Sequence, residues 1–170
     1  DSKAVEWIEA VLTKGLMTDI MLTTRFNMSG EIESPNTKFS ANLNDATINA
    51  DPNWPSIENI NAKVNFSNDY LKIVGNQASV EDIYLSYLSI TSRDFNQPDS
   101  TLSLNARFNS ESMKIEDFIK KSSVSEKIKS YLDEFELKGK LWGNINMIVP
   151  IKRDNDQKLK LSFDMFASDN

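Results

Sequence analysis

Residues 136–151, ELKGKLWGNINMIVPI, decide how the rest of this chain is read. Leu137, Gly139, Leu141, Gly143, Ile145, Met147, Val149 and Ile151 occupy every second position, and Lys138, Lys140, Asn144 and Asn146 oppose them. A period of two is that of a β-strand, whose successive side chains point to opposite faces. The fifteen residues from Leu137 to Ile151 would span roughly 50 Å, far beyond a usual strand of about five or six residues. Gly139 and Gly143 on the apolar face would relieve crowding on a concave surface or admit a close neighbour.

Downstream, Arg153 to Gln157 reads as a turn, and Leu159, Leu161, Phe163 and Met165 alternate after it. Upstream, residues 112–135 change to helical spacing. Met113, Ile115, Phe118 and Ile119 form a short helix, Ser122-Ser123 a polar break, and Val124, Ile128, Tyr131, Leu132 and Phe135 a second helix.

Strands are expected across residues 16–109. Leu102, Leu104, Ala106 and Phe108 alternate, as do Ile60, Ala62, Val64 and Phe66. Ser67-Asn68-Asp69 is hairpin-turn chemistry, answered by Leu71 and Ile73. Val80 to Ile90 is apolar on both sides. Phe39, Ala41 and Leu43 hand over to Ala46, Ile48 and Ala50, and this slip of phase at Asn44-Asp45 predicts a β-bulge. Asp51 to Pro55 breaks the run, since proline cannot donate to a ladder. Leu16, Ile20, Leu22, Phe26 and Met28 share one face of a first long strand, followed by a turn from Ser29 to Asn36. Residues 3–14 read as a helix, with Ser2 as N-cap and Gly15 as stop. Strands in runs with clustered helices give an α+β fold: a curved, mainly antiparallel sheet of long strands, groove-like, with a few helices packed on it.

The chain has 170 residues, a net charge of −6, and neither cysteine nor histidine. The acidic balance argues against nucleic acid. Thiolate nucleophiles, Cys-ligated zinc and histidine general bases are excluded. No run is long enough for a membrane-spanning helix. Asp1-Ser2-Lys3 is no signal peptide, and the chain is expected to be one segment (1–170) of a longer protein.

Candidate chemistry is thin. Glu126, Asp133, Glu134 and Glu136 cluster, but Lys127 and Lys129 interleave with them as on a solvated helix face. Asp45, Asp51, Asp69 and Asp82 fall in or near turns, and Asp154-Asn155-Asp156 lacks the rest of a calcium loop. No phosphate-cradling glycine motif is present. A carboxylate-based glycan enzyme would need two carboxylates about 5–10 Å apart in a cleft. Trp54 between two prolines reads as a plug at a strand end rather than a ligand platform.

Specific phrases resemble a known family. DATINADPNWPSIENINAKVNF (45–66), LKIVGNQASVEDIYLSYLSI (71–90), LSLNARFNSESMKIEDFIKKSSV (102–124) and FELKGKLWGNINMIVPI (135–151) are similar to the middle region of the AsmA-like proteins of Gram-negative bacteria, YhdP type. The likeness runs from about Leu16 to Ile151. Where that family has a proline after the short helix, this chain has Ser122-Ser123-Val124. The resemblance implies a repeating β-groove in the periplasm, anchored in the inner membrane by a segment outside this chain. It implies an apolar channel for phospholipids moving between inner and outer membranes.

The expectation is therefore a non-catalytic, cofactor-free, metal-free lipid-conducting segment. Phospholipid acyl chains would lie against Leu102, Leu104, Phe108, Leu137, Leu141, Ile145, Met147 and Val149. Other partners would be neighbouring groove segments of the parent chain, with edge-strand self-association of the fragment. The alternative is a structural or protein-interaction β module in envelope assembly.

Overall fold

The computed structural model describes residues 9–25, 36–49, 54–93, 97, 99–121, 138–151 and 160–168. Eight strands form one sheet: β1 (Leu12–Arg25), β2 (Asn36–Ile48), β3 (Ile57–Ser67), β4 (Tyr70–Val80), β5 (Ile83–Ser92), β6 (Thr101–Glu111), β7 (Lys140–Pro150) and β8 (Lys160–Ser168). Their spatial order is their sequence order, and every neighbouring pair is antiparallel. β1 and β8 are the two edges, so the sheet is curved but not closed. The helix Ser112–Lys121 links β6 towards β7.

One face is apolar, and it is the concave one. Cross-strand partners share a face, so Leu43, Ala62, Val64, Ile73, Ile90, Leu104 and Ile145 line a single trough, and all are buried. The curl is tightest at the N-terminal end. There Leu12 and Met17 of β1 and Ile73 of β4, three strands away, line one gap of only about 10 Å³.

The sheet bends where polar residues take left-handed backbone. Asp19, Asp45 and Asn59 have φ of 52°, 49° and 52°, beside register shifts in β1, β2 and β3. Asn and Asp tolerate this region best among non-glycine residues. The expected slip at Asn44-Asp45 is the shift between Leu43 and Ala46. A polar ladder tops these bulges on the convex side. Asn42 Nδ2 donates to Asp19 Oδ2 (2.7 Å), Asp45 N to Asn61 Oδ1 (3.2 Å) and Asn59 Nδ2 to Ser79 Oγ (2.7 Å).

Three expectations are corrected. The helix expected over 3–14 reaches only residue 11, because Leu12 already pairs with Ile48. Gly15 is not its stop. It has φ 129°, and a Cβ there would stand 2.7 Å from the Ala46 Cα, so the glycine admits the β2 backbone within a bulged strand. Second, the apolar set expected on one face of β1 is not buried. Leu16, Ile20 and Leu22 are 63, 61 and 66% exposed: the bulges shift the phase so that Met17, not Leu16, opposes Leu43, and Leu22, although it opposes Phe39 on the apolar face, lies on the uncovered edge strand. Third, β7 begins at Lys140 rather than 136, since Gly139 takes φ 80° and its carbonyl accepts from Ser112 N (2.9 Å). Val80–Ile90 also divides, at a two-residue turn whose Glu81 has φ 50°. Tyr84 and Tyr87 there face outward and are exposed. Phe26, Met28, the second helix from Val124, the Glu126–Glu136 carboxylates and Asp154–Asp156 lie outside the described residues.

Candidate apolar groove

The 112–121 helix covers one end of the trough. Its Ile115, Phe118 and Ile119 are buried, and its last turn is tied to the β4–β5 turn by Lys121 Nζ to Glu81 Oε2 at 3.0 Å. That hydrogen bond and the Glu81 charge raise the Lys121 pKa above its usual value. The pair is exposed, so it positions the helix end more than it stabilises the fold. Trp54 leans on Phe118 with ring centroids 6.2 Å apart.

Beyond that cap the concave face opens into a pocket of about 80 Å³. Fifteen residues line it and all are apolar. Leu102, Leu104 and Ala106 come from β6, and Ile145, Met147 and Val149 from β7. Ile48, Ile57, Val80, Leu85 and Ile90 form the far wall, Trp54, Pro55 and Phe118 the roof, and Leu161 the lip. Burial falls towards the β8 edge. Ile145 is buried, whereas Met147, Val149, Leu161, Phe163 and Met165 are only half buried.

Five of the eight residues expected to line a groove are brought together here: Leu102, Leu104, Ile145, Met147 and Val149. Phe108 and Leu141 are on the same face but 2 and 1% exposed, at the helix-covered end, and serve as core. Leu137 lies outside the described residues. Trp54, the expected plug, is half buried and both packs on the core and roofs the pocket. Sequence reasoning missed Phe118 and Leu161 as lining. Gly143 does admit a close neighbour: a Cβ there would collide with the Asp164 carbonyl oxygen of β8.

No charged or polar side chain lines this pocket. Among the described residues no group of His, Cys, Asp or Glu could hold a metal, and no helix is long and apolar enough to cross a membrane.

An unclosed antiparallel sheet with a continuous apolar concave face defines a β-groove protein. The family model described as YhdP protein matches residues 1–168, and the chain belongs to that family. This agrees with the AsmA-like, YhdP-type resemblance of its strand phrases. No curated protein and no solved structure matches the chain.

Proposed function

We propose that this chain is a non-catalytic, lipid-conducting segment of a periplasmic bridge-like protein, anchored in the inner membrane, that moves phospholipid between inner and outer membranes. The observation that carries this reading is the wholly apolar lining of a pocket on the open face of the sheet. Such a surface recognises apolar area and has no polar group with which to orient a reaction. Each acyl methylene buried there contributes about 0.8 kcal/mol. The enclosed 80 Å³ is smaller than the roughly 150 Å³ that takes a benzene ring. An acyl chain would therefore lie in single file, its remaining length against the half-buried residues of β7 and β8, with its headgroup in water at the β8 lip.

In the parent chain, neighbouring groove segments would extend the sheet at both edges. β1 supports this, because Leu16, Ile20, Met21 and Leu22 are all more than 60% exposed on an edge strand. A second reading, a protein-interaction β module in envelope assembly, draws on that same edge and on the helix closing one end of the trough.

Native mass spectrometry of the purified chain tests the first reading, combined with a photo-crosslinking residue at Val149 and a control at outward-facing Asn105. Co-purified phospholipid and crosslinks from Val149 alone are expected. A folded chain with no lipid and no crosslink leaves the interaction module as the better account.

A further inference from the structure

The walls and the roof of the apolar pocket are held by different forces. The walls are strands of one continuous antiparallel sheet. Spreading them would break several backbone hydrogen bonds together. The roof is Trp54, Pro55 and Phe118, and none of the three belongs to a strand. Phe118 is carried by the 112–121 helix, which is seated by the buried side chains of Ile115, Phe118 and Ile119. An occupant larger than the enclosed volume of about 80 Å³ therefore gains room at the lowest cost by lifting the roof.

The two ends of this helix are fixed unequally. It follows β6 without a linker, since β6 ends at Glu111 and the helix begins at Ser112. Its first residue is pinned by its backbone, where Ser112 N donates to the Gly139 carbonyl at 2.9 Å. The helix has ten residues, about 15 Å along its axis, and at the far end Lys121 Nζ meets Glu81 Oε2 at 3.0 Å. Those two side chains are 62 and 33% exposed, so water and salt compete for the pair. A buried hydroxyl lies at the pinned end. Ser110 Oγ has no hydrogen-bond partner among the described residues, and it opposes buried Leu141 on the apolar phase of β6.

We propose that the 112–121 helix is a lid on the groove, hinged at Ser112 and latched by Lys121 and Glu81, that lifts to admit an acyl chain. The proposal rests on the lipid reading above and adds the step by which the site fills. Closure is favoured by the apolar area of Ile115, Phe118 and Ile119, which opening would expose to water. It is opposed by Ser110, because a buried hydroxyl without a partner disfavours the state that buries it. Lifting the helix lets water reach that hydroxyl. An acyl chain entering beneath the lid then takes over apolar contacts that Phe118 leaves. The sheet keeps its hydrogen bonds throughout, and only the exposed latch pair is broken.

The chain has no cysteine, so Glu81→Cys with Lys121→Cys places two unique thiols at the latch. A short bismaleimide with a disulfide in its spacer joins them and holds the lid shut, and reductant releases it. Uptake of pyrene-labelled phosphatidylcholine from neutral vesicles by the full chain is the readout. Uptake should fall about tenfold or more in the joined form, as for an equilibrium moved by that factor, and should return on reduction. Hydrogen exchange reads the lid without lipid. Glu81→Gln should speed exchange of the 112–121 amides and Ser110→Ala should slow it, with the amides of β3 and β4 unmoved in both. Equal uptake by the joined and released forms overturns the lid and leaves the lipid reading standing. Exchange of the helix amides only together with those of β3 and β4 also overturns it. No uptake even by the released form fails the lipid reading, and the lid with it.

Discussion

Trp54 and Phe118 meet at a tilt of 52° with centroids 6.2 Å apart, a residue before the third strand against one from the 112–121 helix. Together they roof the apolar pocket. Trp54→Ala removes half of that roof. Because Trp54 is half buried, its loss should cost about 1–3 kcal/mol, below the roughly 3–5 kcal/mol of a fully buried ring. Urea denaturation measures this. A cost under a few tenths of a kcal/mol would mean that the ring packs on nothing.

Leu141 and Val149 are on one strand and one face, yet their substitutions should part. Leu141 is 1% exposed and Val149 half buried. Leu141→Asp buries an unpaired charge and should abolish cooperative unfolding. Val149→Asp should leave a folded chain whose lipid crosslinking falls. Equal unfolding by both would make the whole face a closed core.

Gly143→Ala should destabilise by about 1–3 kcal/mol through forced separation of strands. The added methyl meets the Asp164 carbonyl oxygen, which belongs to backbone and cannot swing away. Loss of amide protection confined to β7 and β8 is the expected exchange pattern. An unchanged denaturation midpoint would count against this geometry.

The exposed edge should drive association. Ile20→Lys with Leu22→Lys places charge along β1, a device natural edges use against pairing. Light scattering should show the parent chain associating at high concentration and the double variant remaining monomeric. Association that persists unchanged in the variant would move the contact to β8.

Much of the sheet is legible in the sequence because burial of one face imposes a period of two. Ile60–Phe66 and Leu102–Phe108 name the inward faces of β3 and β6 directly, and Asn68-Asp69 names a hairpin. β1 is not legible, since each bulge resets the phase, and Leu16 and Met17 exchange roles without any change of composition. Phe108 and Leu104 read alike for a different reason. What separates core from groove lining is whether the helix lies above them, and an apolar helix stripe does not name the part of a sheet it will cover. The convex rings escape the pattern as well, because Tyr84 and Trp142 are hydrophobic residues on the polar phase.

The identity of spatial order and chain order has a kinetic consequence. Each strand finds its partner a few residues away wherever a tight turn joins them, as at Asn68-Asp69 and Glu81-Asp82. Only the passage through the helix demands a long closure, and closure entropy grows slowly with length. Ordering can therefore start at the β3–β5 double hairpin and spread outward one strand at a time. A chain that emerges gradually and unfolded need not wait for its last residue before its first hairpins form.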